Sequence, residues 1–304
     1  MKILRFNDDR IGVLRGGDSV IDVSSVISHR EERGPQRSME VFIETFSNLR
    51  SDLEKMIIKD PGIPLTSVKL LAPVPRPSKC LGAFLNYLDT PERSLEKLPN
   101  EFFHKAPELL APEGDIVLRN ITAAKEVNPE AELAFVIGKH AKNVSEADAM
   151  DYVFGYVPYF DISMRGLIRR SLIIPKGQDT FGPCGPWIVT RDEIPDPHNL
   201  QVKSWVNGEL RQDFSTRFMA HKIADQLSWL SQWLQLQPGD VIATGTHHDG
   251  LLPINVGNTL EIEIEKIGRA KWYVTGDMHF KDTKKNKDAK KPDKLPDGML
   301  VTPV

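Results

Sequence analysis

The chain has 304 residues, 40% hydrophobic and 27% charged, with a formal net charge of −3 and a pI near 6.3. That length supports a substantial core without staples, and the slight acidity argues against general binding to nucleic acid or to an anionic membrane surface. The two cysteines, Cys80 and Cys184, form no CxxC pair and no zinc-like spacing, which fits a reducing compartment and thiols that are buried rather than reactive. Residues 1–10 lack the apolar stretch of a secretory signal, and no apolar run approaches a membrane span, so the expected location is cytoplasmic.

Residues 1–75 read as a small α/β domain followed by a linker. Strands are predicted at 3–6, 11–14 and 20–23, between turns at Asn7–Asp9 and Gly16–Asp18. Helical spacing of Phe42, Phe46 and Leu49 predicts a helix over 39–58. The Pro-rich stretch 71–77 reads as the linker, because each proline fixes φ and removes a donor.

A second domain is expected over 76–280, where strand-like runs alternate with Pro/Gly turns. In the run Glu130-Ala131-Glu132-Leu133-Ala134-Phe135-Val136-Ile137-Gly138, two carboxylates at i and i+2 share one face of a strand. Ala134 and Val136 make the rest of that face apolar, so two like charges sit where a core is expected, with no Lys or Arg in the strand. A divalent cation would resolve the conflict, since hard cations take oxygen ligands. The next strand, 154–161, ends on Asp161 and can deliver a third oxygen, leaving an open site with positions for water and substrate.

Between them, Ser145-Glu146-Ala147-Asp148 resembles a capping box that opens a helix reaching Tyr152. Met219, Ile223, Leu227, Leu230 and Leu234 share a stripe that predicts a helix over 217–237, closed by Pro238-Gly239, with Trp229 and Trp233 packed against core or subunit. Leu260–Ile264 reads as a half-exposed strand with Glu261 and Glu263 outward. The segment 281–304 alternates lysines with aspartates and reads as a solvated extension; without interleaved aromatics it is a poor nucleic-acid binder.

In five ordered runs the chain resembles the fumarylacetoacetate hydrolase family. They are EAELAFVIGK at 130–139, NVSEADAMDYVFGYVPYFDIS at 143–163, KGQDTFGPCGPWIVT at 176–190, NGELRQD at 207–213 and PGDVIATGT at 238–246. The resemblance covers about 76–274, and residues 1–70 are similar to the small N-terminal domain of many members. It implies a β-rich α+β fold, a mixed β-roll, assembled as a homodimer. It also implies a metal-dependent enzyme acting on 2-oxo or 1,3-dicarbonyl acids. The family's metal ligands fall on Glu130, Glu132 and Asp161, for Mg²⁺ with Mn²⁺ or Ca²⁺ as alternatives. Its active-site lysine falls on Lys176, there to stabilise an enolate or oxyanion; a simple ion pair with Asp179 is the bland alternative. Arg165 matches a position that contacts the substrate carboxylate, and Thr246 a substrate-contacting turn.

The chain departs from the family where water is activated. The pattern Asn-Tyr-x-Asp-His-x-x-Glu is here Asn86-Tyr87-Leu88-Asp89-Thr90-Pro91-Glu92-Arg93, so Thr90 and Arg93 replace the His and Glu, and neither is a base near neutral pH. Glu92 lies one place out of register. Ile168 replaces a glutamine seven residues after Asp161, and His247-His248 follow Thr246 where a proline is usual. The expectation is C–C bond cleavage with His247 as the substitute base, His248 as its neighbouring alternative and His104 as a weaker one. A decarboxylase or keto–enol isomerase, needing only an electron sink, is the rival enzyme, and a catalytically silent metal-binding protein is the rival outside catalysis.

Overall fold

The structure, a computed structural model, describes residues 1–90, 93–95, 98, 100–167 and 171–278. Ile168, Glu92 and the lysine-rich segment 281–304 lie outside the described residues.

Three short strands, β1 (Lys2–Phe6), β2 (Arg10–Arg15) and β3 (Ser19–Asp22), form a meander as their alternation requires. The helix that follows, α1 (Arg30–Lys59), starts nine residues before the expected one, because Gly34 at φ 73° kinks the chain and lets Pro35 open a second helical stretch. Two-residue strands β4 (Ile63–Pro64) and β5 (Leu70–Leu71) pair with β3 and β1. The Pro-rich stretch is packed rather than loose: Ala72 and Val74 are buried, and the buried Arg5 donates to the Ala72 carbonyl at 2.7 Å.

Beyond it come β6 (Cys80–Ala83), β7 (Phe102–His104), β8 (Asp115–Leu118), β9 (Glu126–Ile137), α2 (Glu146–Ala149) and β10 (Val153–Arg165). They are followed by α3 (Ile173–Lys176), β11 (Ile188–Thr190), β12 (Gln201–Val206), β13 (Glu209–Ser215), α4 (Ile223–Trp233), β14 (Val241–Ala243), β15 (Thr259–Ile264) and β16 (Gly268–Gly276). The α2 turn is capped as expected, with the Ser145 hydroxyl accepting from the Asp148 N–H.

The eleven-stranded sheet runs β4-β3-β2-β1-β11-β10-β9-β14-β6-β7, with β5 on β1. Since β1 pairs with β11, the first segment is continuous with this sheet. The smaller sheet runs β13-β12-β15-β16-β8. Both are mixed, with parallel pairs only at β14–β6 and β16–β8 among the described strands.

The long pair β9–β10 is the centre of the molecule. Its residues Leu133, Phe135, Tyr156, Phe160 and Ile162 pack against Val202, Leu260, Ile262 and Trp272 of the smaller sheet. Its opposite face, with Ala134, Val136 and Val157, packs against Ile3, Met39, Phe42 and Phe46 of the first segment. Each fully buried side chain of this size contributes about 1.5–3 kcal/mol, so β9–β10 is held from both sides.

The helix α4 is shorter than its apolar stripe. Lys222 and Leu234 are extended, and Leu236 leaves the helix to bridge Ala141. Trp229 stacks on Phe102 at 5.7 Å, whereas Trp233, tilted against Trp229 at 6.0 Å, is 66% exposed. Cys80 and Cys184 are both free and buried, and burial pushes the Cys80 thiol up to about 12. No helix among the described residues is long and apolar enough to cross a membrane.

Candidate active site

The antiparallel register sets Asp161 directly opposite Glu130, and Tyr159 opposite Glu132. Alternation puts Asn128, Glu130 and Glu132 on one face of β9, and pairing brings Asp161 to the same face. One carboxylate oxygen from each of Glu130, Glu132 and Asp161 lies within 4.8 Å of the others, and all three side chains are buried.

Cations partly neutralise the group. Lys176, at the end of α3, donates through Nζ to Glu130 Oε2 at 2.8 Å and to Asp161 Oδ2. It pairs with these two rather than with Asp179, which is exposed. Arg165, closing β10, donates through Nη2 to Glu130 and through Nε to Asn128 Oδ1 at 2.9 Å. Lys105 donates to Asp161 Oδ1 at 2.5 Å and to the Ile162 carbonyl at 3.2 Å. Alternation explains that residue: Phe103 and Lys105 turn inward, while His104, the weakest of the candidate bases, is exposed.

These contacts split the two glutamates. Burial opposes charge on Glu130, but Lys176 and Arg165 outweigh it and hold this carboxyl well below the usual range. Glu132 goes the other way: burial, then the charges of Asp161 and Glu130, push it well above. Among the described residues no Lys or Arg pairs with Glu132. Burial disfavours the charged form of Lys176, yet Asp161 and Glu130 raise it, so it stays protonated.

Among the described residues, the one backbone donor to Glu132 comes from the turn after β14. The Thr244 and Thr246 hydroxyls donate to the Leu133 and Ala131 carbonyls at 2.8 and 2.7 Å, on either side of Glu132. Gly245, at φ 90°, then directs its N–H onto Glu132 Oε2 at 2.7 Å, a conformation that a Cβ would strain. Thr246 therefore lines the cavity while its hydroxyl is committed to β9 and receives Gln212 Nε2 at 3.1 Å.

The cavity measures about 400 Å³ and is bordered by Glu130, Lys176, Arg165, Asn128, Thr246 and His248, with Phe84, Leu85, Phe103 and Leu251 as its apolar part. Its size suits a small organic acid. His247 is not among these lining residues. Its ring stacks on Phe214 at 5.7 Å and meets Tyr87 and Phe218 edge-on, and burial lowers its pKa. Consecutive residues of an extended turn point apart, so the aromatic cluster takes His247 and the cavity takes His248.

Asp89 is tied to the same wall. Asn86 donates to the Thr244 carbonyl at 2.9 Å, which holds the segment 86–89 against the turn. Asp89 Oδ2 accepts from the His248 backbone N–H at 2.9 Å and contacts His248 Nδ1 at 2.6 Å, while Arg93 donates to Oδ1 at 2.5 Å. Thr90 is exposed.

The family description fumarylacetoacetate (FAA) hydrolase C-terminal matches residues 79–275. The chain belongs to the fumarylacetoacetate hydrolase family. It is 35% identical over 287 residues to a maleylpyruvate hydrolase of Aquipseudomonas alcaligenes, covering 88% of this chain and 97% of that protein. It is 37% identical over 220 residues to an oxaloacetate tautomerase of Rattus norvegicus, covering 68% and 70%. Among solved structures, maleylpyruvate hydrolase from Sphingobium sp. SYK-6 in complex with manganese(II) and pyruvate superposes with a TM-score of 0.81 at 34% identity, over 91% of this chain and all of that one. The β-rich α+β fold expected from the sequence is thus the family's fold.

Several site residues carried a weaker signal in the sequence than their place deserves. Asn128 was legible, two residues before Glu130 on the same face. Lys105 and Gln212 sit far along the chain, and only pairing across the sheets brings them to the acids.

Proposed function

We propose that this chain is a divalent-metal-dependent enzyme that cleaves a C–C bond in a 2-oxo or 1,3-dicarbonyl acid, by hydrolysis of the acylpyruvate type. The observation that carries this reading is Glu132: a buried carboxylate facing two others, with no Lys or Arg paired to it among the described residues, in a cluster whose Glu130 borders the cavity. An all-oxygen donor set of three carboxylates suits Mg²⁺ or Mn²⁺, and Glu130, Glu132 and Asp161 would hold the ion. When bound, the ion supplies Lewis acidity toward the substrate's oxo group.

The protein's own groups do the rest. Lys176, kept protonated, donates to the oxygen on which enolate charge develops, in a buried site where such a hydrogen bond is strong. Arg165, on the cavity wall, grips the substrate carboxylate. Asn128 and Gly245 hold Arg165 and Glu132 in place. Phe103, 4.8 Å from the Lys176 ammonium, fixes that side chain from its apolar side.

A second reading is keto–enol tautomerisation of a dicarboxylic oxo acid. It is favoured by Thr90 and Arg93, neither of which activates water, and by the likeness to oxaloacetate tautomerases. Product analysis separates the two. Purified protein with Mg²⁺ is expected to convert acylpyruvates to pyruvate and a carboxylic acid, followed by NMR. Rapid ketonisation of enol oxaloacetate with acylpyruvates left intact would replace hydrolysis by tautomerisation.

A further inference from the structure

We infer that His248, oriented by Asp89, is the base that deprotonates the attacking water, in place of the family pair missing at Thr90 and Arg93. The inference rests on the hydrolytic reading above and adds the residue that reading lacks.

The geometry assigns the imidazole's tautomer. Two groups approach His248 Nδ1: Asp89 Oδ2 at 2.6 Å and Arg93 Nη1 at 3.3 Å. Arginine only donates, so a bare Nδ1 would leave the nearer carboxylate oxygen facing a lone pair. The hydrogen on Nδ1 therefore points to Asp89, and Nε2 is the basic nitrogen. No protein partner of Nε2 is found among the described residues, and His248 lines the cavity with 35% of its side chain exposed.

Asp89 is built as an orienting group. Its side chain is 1% exposed. Burial alone would raise its pKa, but the hydrogen bonds from the His248 backbone and ring, and then the charge of Arg93, bring it below the usual value. Arg93, the residue in the family's glutamate position, donates to Asp89 Oδ1 at 2.5 Å and to the Tyr87 carbonyl at 3.2 Å, and so braces Asp89 from the side away from His248's backbone. Among the described residues, the charged groups around the imidazole are Asp89 and Arg93 at Nδ1, with Glu130, Lys176 and Arg165 bordering the same cavity.

In the reaction, a water proton passes to Nε2 while the water oxygen bonds to the acyl carbonyl carbon. The bond from that carbon to the adjacent methylene breaks, and its electron pair becomes the enolate of the departing 2-oxo acid. The proton on Nε2 returns to the enolate carbon, so His248 ends as it began and the products are a carboxylic acid and a 2-oxo acid.

The test compares wild type, His248→Gln, Asp89→Asn and His247→Asn in acylpyruvate cleavage over pH 5–9, with ¹⁵N NMR of the His248 imidazole. A base of this kind contributes about 10²–10⁴-fold, so His248→Gln is expected to lose at least about 100-fold in kcat with KM little changed. It also loses the acidic limb of the pH profile, and His248→Ala recovers part of its rate with added imidazole. Asp89→Asn loses kcat with Nδ1 no longer held as the protonated nitrogen, while His247→Asn keeps the wild-type profile. Cleavage by His248→Gln at the wild-type rate and profile, or a ¹⁵N spectrum with the proton on Nε2, overturns the inference alone. Wild-type protein that ketonises oxaloacetate but cleaves no acylpyruvate overturns the hydrolytic reading and the inference with it.

Discussion

Glu132 and Glu130 lie two residues apart on one strand and titrate in opposite directions, and the difference is which cations reach them. Lys176 and Arg165 serve Glu130, while among the described residues Glu132 receives the Gly245 N–H and no Lys or Arg. Removing the charge at Glu132 is therefore expected to relieve repulsion in metal-free protein and to abolish stabilisation by metal. Glu132→Gln should melt in chelator at or above the wild-type temperature, and should lack the upward shift that Mn²⁺ gives wild type. At 100-fold excess over the dissociation constant that shift corresponds to about 2.7 kcal/mol. A Mn²⁺ shift equal to that of wild type in scanning calorimetry would remove Glu132 from the ligand set. At this scale the acids were readable in the sequence, because strand alternation alone puts positions 130 and 132 on one face. Which of His247 and His248 borders the cavity was not readable. It depends on the Phe214, Tyr87 and Phe218 rings that claim one of them, and no local pattern encodes that tertiary packing.

Elements position these residues, and the long pair β9–β10 does most of that work. Its apolar faces followed from β-branched and aromatic alternation, whereas its register, which sets Asp161 opposite Glu130, came only with the pairing. Helix limits were harder: the stripe from Met219 to Leu234 continues past α4 at both ends, because apolar residues of the flanking extended segments bury against the same core. The stretch 71–77 read as a linker since prolines lack donors, yet Ala72 and Val74 are buried, just after the pairing of β5 with β1. Beside that junction, Arg50 of α1 pairs with Asp192, just after β11, at 2.7 Å. Burial would raise Asp192, but the hydrogen bonds from Arg50 and Thr190 lower it to about 2. A carboxyl depressed in the folded state gives stability that is complete above its unfolded value of about 4 and is lost as pH falls toward about 2. The pair is partly exposed, so the contribution is under about 1 kcal/mol. Denaturant titrations of wild type and Asp192→Asn should differ by a constant amount above pH 5 and converge near pH 2. A gap that instead widens in acid would assign the contact no part in joining α1 to the sheet.

Among the described residues, the smaller sheet and the first segment cover the two faces of β9–β10, and the cavity beside Glu130 gathers otherwise distant parts of the chain: 83–85, Phe103, Lys176 and 245–248. The fold class and the order of these segments were legible through motifs that resemble the fumarylacetoacetate hydrolase family, while the way they close round one cavity depends on long-range pairing. The central claim is that Glu130, Glu132 and Asp161 hold the ion on which C–C cleavage depends. Titrating acylpyruvate cleavage against free Mn²⁺ tests it most directly. The account predicts a rate that rises from near zero in chelator along a single-site curve, displaced to at least about tenfold higher metal by Glu132→Gln. Cleavage that proceeds at full rate in chelator, or a curve that Glu132→Gln leaves in place, would contradict it.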